Sequence, residues 1–371
     1  MKIALVLTTI NVPDLIIGYA DNFEKYGNRS EVGFIIIGDL KTPQEAKEPV
    51  EKIRKRGFEV EYLDIPQQEE WLKKFPDLKQ IIPYNSDNRR NIGYLIAVER
   101  GAEVIISLDD DNYAREEDYL EAHKVVGCTK ELKTAHSRNA WFNICSQLEL
   151  EPPRIIYPRG FPYSKRWTDD AEFTVSSGRI VMNAGLWLGD PDVDAVTRLN
   201  EPIRAVGASP EMLMLAPEVY CPINTQNTAF HRDILPCYYF VTMKALINGN
   251  KIDRYGDIWS GLFALKVINQ MKDRVSFGPP LTDHRRNTHN LLKDLQEELW
   301  GMILTESLVP ILDSIQLTAT TYQGAYLELA NKLEERVNLD EDFTPGVKNY
   351  FSQVTSAMRI WVDACQQVMG K

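Results

Sequence analysis

The run "IISLDDDN", residues 105–112, passes from an apolar stretch into three consecutive carboxylates, Asp109, Asp110 and Asp111. Adjacent like charges repel, and the local pattern offers them no basic partner. A hard divalent cation resolves the conflict: Mg²⁺ or Mn²⁺ takes oxygen ligands and carries enough charge to hold a diphosphate beside an acidic cluster. There it also acts as a Lewis acid on a leaving group. The plainer alternative is a solvated acidic turn capping the next helix. Three carboxylates directly after "VIISL" favour the metal.

Other segments carry compatible chemistry. His284 in "LTDHRRNTHN" is a candidate third metal ligand, with His289 as its competitor, and the adjoining Arg285 and Arg286 suit bidentate contact with phosphate oxygens. Arg89 and Arg90, in "SDNRRNIGYLIA", stand just before a predicted helix, placed to meet a phosphate or to offset the aspartates. Asp257 in "RYGDIWSG" is a candidate base or ring-hydroxyl ligand, or else the N-cap of the helix that "DIWSGLFALKVI" predicts. In "YPRGFPYSKRW", residues 157–167, Arg159 and Arg166 lie among Tyr157, Phe161, Tyr163 and Trp167, and Pro158 and Pro162 stiffen the loop. Aromatic faces beside guanidinium groups suit a sugar or base next to a phosphate. A packed structural loop is the alternative.

The elements that must position these residues are legible in the first third. "KIALVLTTI", "VGFIIIGDL", "FEVEYLDI" and "AEVIISLDDD" read as strands, separated by three helix-like stretches. Strands alternating with helices predict a mostly parallel, doubly wound α/β sheet, in which ligands sit beyond the carboxyl ends of the strands. Asp39 and Asp109–Asp111 fall at such ends. From about residue 128 to 290 the pattern loosens into short strands and aromatic loops. Beyond it, Tyr322, Tyr326, Leu329 and Leu333, then Phe351, Val354, Met358, Trp361 and Cys365, recur at helical spacing, with "NLDEDFTPG" between the two sets. The expected division is therefore 1–295 for the catalytic domain and 296–371 for a helical region, with the apolar stripes serving as intramolecular core rather than a subunit interface.

Composition excludes several function classes. With 53 acidic against 42 basic residues the net charge is −11, which repels nucleic-acid backbones. No apolar run approaches the length of a membrane span. The opening "MKIALVLTTIN" reads as a first strand rather than a leader. Five cysteines without CxxC spacing read as buried free thiols, the habit of a cytoplasmic protein. No GxGxxG phosphate loop supports a nucleotidyltransferase.

Six stretches carry a resemblance: "SLDDDN", "RGFPYSKR", "GLWLGDPDVDAVTRL", "NTAFHRD", "DRYGDIWSG" and "YFSQVTSAMRIWVDACQQV". In content and order they resemble the reversibly glycosylated polypeptides, which include the UDP-arabinopyranose mutases. The resemblance implies a glycosyltransferase A-type fold, a UDP-sugar ligand, Mn²⁺ or Mg²⁺ at the aspartates and homo-oligomers. It implies reversible glycosyl attachment at Arg159, with Arg166 a second family arginine tied to activity or assembly, and it matches Asp257 to an acidic family position. The expected site thus comprises Asp109, Asp111 and His284 for metal, Asp39, Asp109, Asp110, Arg89, Arg285 and Arg286 for the nucleotide, and Arg159, Asp257 and Arg166 for catalysis. The expected activity is interconversion of the pyranose and furanose forms of a UDP-pentose; the alternative is metal-dependent transfer of the sugar to a separate acceptor. "MNAGLWLGD" and the segment after His284 depart from the family's plant members, which leaves the sugar open.

Overall fold

The computed structural model describes residues 2–168, 170–287 and 289–370, without the side chains of Pro280 and Leu281. Its first third follows the sequence pattern. Strands β1 (Ile3–Thr9), β2 (Val32–Gly38), β3 (Glu59–Leu63) and β4 (Val104–Leu108) are connected by helices α1 (Leu15–Lys25), α2 (Lys47–Lys55), α3 (Ile65–Leu72), α4 (Pro76–Ile81) and α5 (Arg90–Glu99). The strands run parallel in the order β3-β2-β1-β4. Successive residues of β1 face opposite ways: Ala4 and Val6 enter the core on one face, Ile3, Leu5 and Leu7 that on the other. Burial on both faces is why these strands read as unbroken apolar runs. Gly93 lets α5 lie close over the sheet, since a Cβ there would run into Val6. That closeness brings Arg90 to the strand ends.

The chain continues through β5 (Asn112–Ala114), α6 (Tyr119–His123), β6 (Thr129–Ser137), β7 (Leu148–Glu151), β8 (Ala171–Gly189), α7 (Ala195–Asn200), β9 (Arg204–Ala208), β10 (Leu213–Leu215) and β11 (Asn227–His231). A small hairpin, β12 (Leu246–Ile247) and β13 (Asn250–Lys251), precedes α8 (Gly256–Gln270) and β14 (Arg274–His284). The sheet extends past β4 as β11-β8-β6-β10-β14-β5, and β9, paired with β8 and β7, brings the described residues' sheet to twelve strands. The 19-residue β8 differs from the short strands expected here. Its first half pairs with β6 as a largely exposed ribbon and is polar; its second half is buried between β11 and β14. One strand thus carries two hydropathy patterns, and neither half announces the other.

The directions of these strands build the site. β11 runs antiparallel to both β4 and β8, and β14 runs parallel to β8. The carboxyl ends of β1, β2, β4, β8 and β14 therefore open at one edge of the sheet.

Three long helices follow: α9 (Leu291–Ser314), α10 (Tyr322–Leu339) and α11 (Pro345–Met369). Thr344 caps α11 through the Val347 N–H, with Pro345 in the first turn, so "NLDEDFTPG" is the break between α10 and α11. Tyr326, Leu329 and Leu333, with Phe351, Val354, Met358, Trp361 and Cys365, are buried in the same core as α8. Those stripes are intramolecular packing, as expected. Four cysteines are buried free thiols, whereas Cys128 is exposed, because it closes a surface turn before β6. Among the described residues no helix is long and apolar enough to cross a membrane.

Candidate functional site

A cleft of about 390 Å³ opens at the carboxyl edge of the sheet. Asp39, Arg89, Arg90, Asp109, Asp110, Asp111, Arg159, Asp257, His284, Arg286 and His289 all line it. Arg166 and Arg285 do not. Residues from six separate segments converge at the edge where β1, β2, β4, β8 and β14 end.

The three aspartates have different partners. Asp109 pairs with Arg90, whose guanidinium also donates to Ser107, Thr8 and both oxygens of Thr225. The basic partner missing from the local sequence is thus supplied by the first turn of α5. Burial nevertheless raises the Asp109 pKa to about 6 against the pull of Arg90, with Asp111 adding repulsion. Asp110 accepts from the Thr9 hydroxyl at 2.6 Å and the Asn11 amide at 3.0 Å, and burial raises its pKa. Asp111 faces His284 Nε2 at 3.3 Å. Burial pushes the Asp111 carboxyl up, but the hydrogen bond and charge of His284 outweigh it, so its pKa is lowered. His284 answers in kind: burial favours its neutral form, and Asp111 overrides this to raise its pKa.

The donor set fits a divalent cation. His284 Nδ1 donates to the Asp190 backbone carbonyl, an outer-shell bond that fixes the ring and leaves Nε2 facing Asp111. One carboxylate and one imidazole are few ligands, and among the described residues no group of three His, Cys, Asp or Glu converges on a metal position. Mg²⁺ and Mn²⁺ sites on phosphate-bearing ligands commonly use only one or two protein groups, with phosphate oxygens and water completing the shell. His289 is engaged elsewhere, with Asp294.

Arg159 dominates the far wall. Its Nε and Nη2 bond the two oxygens of Asp192 at 2.9 and 3.0 Å, and Nη1 and Nη2 bond those of Asp257 at 3.0 and 2.7 Å. Nη1 also donates to the Arg254 carbonyl. All five N–H donors of the guanidinium are therefore satisfied. Burial works against its charge, but the two carboxylates outweigh burial and raise its pKa well above the ordinary arginine value. Gly160 permits the approach: its φ is +85°, and a Cβ there would collide with Ile258, the neighbour of Asp257. Asp257 sits in the first turn of α8, which Tyr255 precedes as the cap residue, so its side chain is spent on Arg159 and not on a cap.

The two remaining arginines lie outside the cleft lining. Arg166 is buried against Asp194 at 2.6 Å, with its guanidinium 3.7 Å from the Tyr163 ring centre. Asp194 in turn caps α7 through the Thr197 N–H. Arg285 is exposed, pairing with Asp283 at 3.0 Å and lying over Tyr113. Arg89 reaches the lining but points its Nε inward, to Gln68 at 2.8 Å.

Asp192 escaped the sequence reading. It belongs to "GDPDVDA", in which Asp190, Asp192 and Asp194 alternate directly after a strand. That spacing was the available signal. The three do separate work: the Asp190 backbone orients His284, Asp192 grips Arg159, and Asp194 caps α7.

A carboxylate-rich cleft at the carboxyl edge of a doubly wound sheet marks the class: α/β proteins that bind their ligands beyond the strand ends. Within it, the chain belongs to the family described as reversibly glycosylated polypeptide, matched over residues 25–370. It is 26% identical over 294 residues to a probable UDP-arabinopyranose mutase 4 of Arabidopsis thaliana, spanning 77% of this chain and 73% of the relative. It is 27% identical over 297 residues to UDP-arabinopyranose mutase 3 of the same plant, spanning 77% and 74%. Among solved structures, a mannosyltransferase from Pyrobaculum calidifontis in complex with GDP-Man and Mn²⁺ aligns with 100% of this chain and 74% of its own, at 9% identity and a TM-score of 0.36. Glucosyl-3-phosphoglycerate synthase from Mycobacterium tuberculosis, with Mn²⁺, UDP and phosphoglyceric acid, aligns with 82% and 78%, at 12% identity and a TM-score of 0.42.

Proposed function

We propose that this enzyme interconverts the pyranose and furanose forms of a UDP-pentose. The observation that carries the reading is the position of Arg159. It stands in the wall of the cleft that Asp109–Asp111 also line, gripped by Asp192 and Asp257. Relatives named as UDP-arabinopyranose mutases support the same reading.

In this reading the nucleoside occupies the ends of β1 and β2, near Thr9 and Asp39, and the sugar lies against Asp257 and Arg159. A Mn²⁺ or Mg²⁺ ion held by Asp111 and His284 would stabilise charge on the departing UDP. Asp257 and Asp192 orient the sugar and offset positive charge at the anomeric carbon as the C–O bond breaks with its electron pair on UDP. Arg159 is a fixed cation in the resting cleft, since all its N–H groups are engaged. To accept the glycosyl group it must pass an Nη proton to Asp257 or Asp192, which already hold it, as the new C–N bond forms. With the carbon so held, the ring oxygen takes the proton from that carboxylic acid as its own C–O bond breaks. Another hydroxyl closes on the carbon and gives its proton back to the carboxylate, and UDP re-forms the anomeric C–O bond as the C–N bond breaks and Arg159 recovers the proton.

The test is incubation with Mn²⁺ and UDP-arabinopyranose, followed by anion-exchange separation. UDP-arabinofuranose is the expected product. Absence of any isomer across a panel of UDP-pentoses and hexoses would overturn the reading; transfer that requires an added acceptor would replace it with a conventional glycosyltransferase.

A further inference from the structure

Arg286, just after β14, which the sequence suggests for a phosphate, lines the cleft together with Arg198 on the short helix α7, which nothing in the sequence singled out. Each side chain is only 12% exposed. Both reach the cleft because β8 and β14 pair to their ends, Gly189 opposite His284, and Arg198 folds back to donate to the Pro191 carbonyl just after β8. Two nearly buried cations lining one cleft repel each other. Burial, with Arg286 adding to it, pushes the Arg198 pKa down to about 10.

The carboxylates around the two guanidinium groups are already engaged. Asp192 is bound by Arg159 and Asn224, Glu298 by Arg254 and the Ala195 N–H, and Asp294 by Arg286 and His289. Asp190 is left at 3.6 Å, beyond hydrogen-bond reach, and is itself 44% exposed. Arg198 donates Nη2 to the Pro191 carbonyl, while its Nε is buried with no hydrogen-bond partner. A buried donor without a partner destabilises the resting cleft. A dianion entering the cleft would give the Arg198 and Arg286 guanidinium groups a shared counter-charge.

We propose that Arg198 and Arg286 form the subsite for the terminal phosphate of a nucleoside diphosphate, on the side of the cleft where His284 bonds the Asp190 carbonyl. The proposal deepens the nucleotide-sugar reading and rests on it. When the glycosyl bond breaks, its electron pair stays on the terminal phosphate, whose negative charge rises by one. Two fixed guanidinium groups meet that charge without reorganisation.

The test is calorimetric titration of the full chain, in Mg²⁺ buffer, with UDP, UMP and inorganic pyrophosphate. Arg198→Gln is expected to weaken UDP and pyrophosphate about tenfold or more while UMP changes by less than about twofold, the scale of one lost charge-assisted bond. Equal weakening of UDP and UMP, or no weakening of UDP, overturns the subsite. Should Arg198→Gln not fold by circular dichroism, Arg198→Lys and Arg286→Gln carry the same comparison, and an undiminished UDP-over-UMP preference in both is equally fatal. The two readings fail separately. A UDP preference that survives these substitutions removes the subsite and leaves the nucleotide-sugar site; UDP weakened selectively by Arg198→Gln, while the wild type isomerises no UDP-sugar, keeps the subsite and removes the proposed activity.

Discussion

Arg159 and Asp257 meet through two parallel hydrogen bonds of 3.0 and 2.7 Å across 98 positions of chain. Asp192 grips the same guanidinium with a second pair, so one arginine is held bidentately twice. Such forks fix orientation as well as charge. In Asp192→Asn one fork is lost while the Asp257 fork remains, so the fold survives with a stability loss of about 1–3 kcal/mol. Turnover of UDP-sugar is expected to fall about tenfold or more as Arg159 loses its fixed position. Urea unfolding and initial rates check the two halves. A variant with wild-type turnover would show that the second fork is structural only.

Arg159→Lys keeps the charge and removes the fork. An ammonium has three donors for the five acceptor contacts that the guanidinium makes. Neither Asp192 nor Asp257 can then be held by paired bonds, and loss of detectable isomerisation is expected from chromatography of the nucleotide sugars. Full activity in this variant would eliminate both a guanidinium nucleophile and a bidentate clamp.

The part of this site that the sequence reveals is the part written at strand ends. Asp39 and Asp109–Asp111 follow apolar runs whose burial on both faces makes them unmistakable strands, and a parallel sheet places its ligands beyond such ends. His284 and Asp257 are visible by residue type but not by partner. Asp192 is obscured because its meaning lies in a contact with Arg159, 33 residues away, that no local periodicity encodes. Arg166 carries the opposite lesson. Its aromatic surroundings suggested ligand stacking, yet Tyr157 and Tyr163 pack on its own guanidinium, and the charge goes to Asp194 at the start of α7.

Metal affinity should separate Asp111 from Asp110. Asp111 and His284 face each other, whereas Asp110 is tied to Thr9 and Asn11. Asp111→Asn and His284→Ala are therefore expected to weaken Mn²⁺ binding by more than the about 10- to 100-fold that outer-shell partners contribute. Asp110→Asn should weaken it far less. Because Asp111 raises the His284 pKa, protons compete with the metal at Nε2, and wild-type affinity should fall as pH is lowered. Electron paramagnetic titration of free Mn²⁺ measures all four. Equal losses at Asp110 and Asp111 would contradict the assignment.

Gly160 tests the backbone behind Arg159. Its φ of +85° strains any residue with a Cβ, and that Cβ would also meet Ile258. Gly160→Ala is expected to cost about 1–3 kcal/mol of stability and to lower turnover by moving Arg159 off its carboxylates. Unfolding curves that match the wild type would mean that the loop relaxes without cost.

His123, under the sheet on α6, makes the acid stability of the protein testable at one side chain. Its Nδ1 accepts from the Asn183 amide at 3.2 Å and its Nε2 donates to Asn227 Oδ1 at 3.3 Å. Those partners fit the neutral ring, and burial lowers its pKa to about 4, with Asn227 opposing. The unfolded chain takes up a proton near pH 6.5 that the folded chain refuses until about 4. Stability from this residue is therefore complete above about pH 6.5 and declines as pH falls, by about 1.4 kcal/mol per unit and about 3 kcal/mol in all. His123→Gln abolishes the linkage. At pH 7 the variant is expected to be the less stable, through lost packing, and by pH 4.5 the gap should narrow by about 2–3 kcal/mol. Urea titrations at both pH values decide it: a gap that stays constant would mean that the ring is protonated in the folded protein as readily as in the unfolded chain.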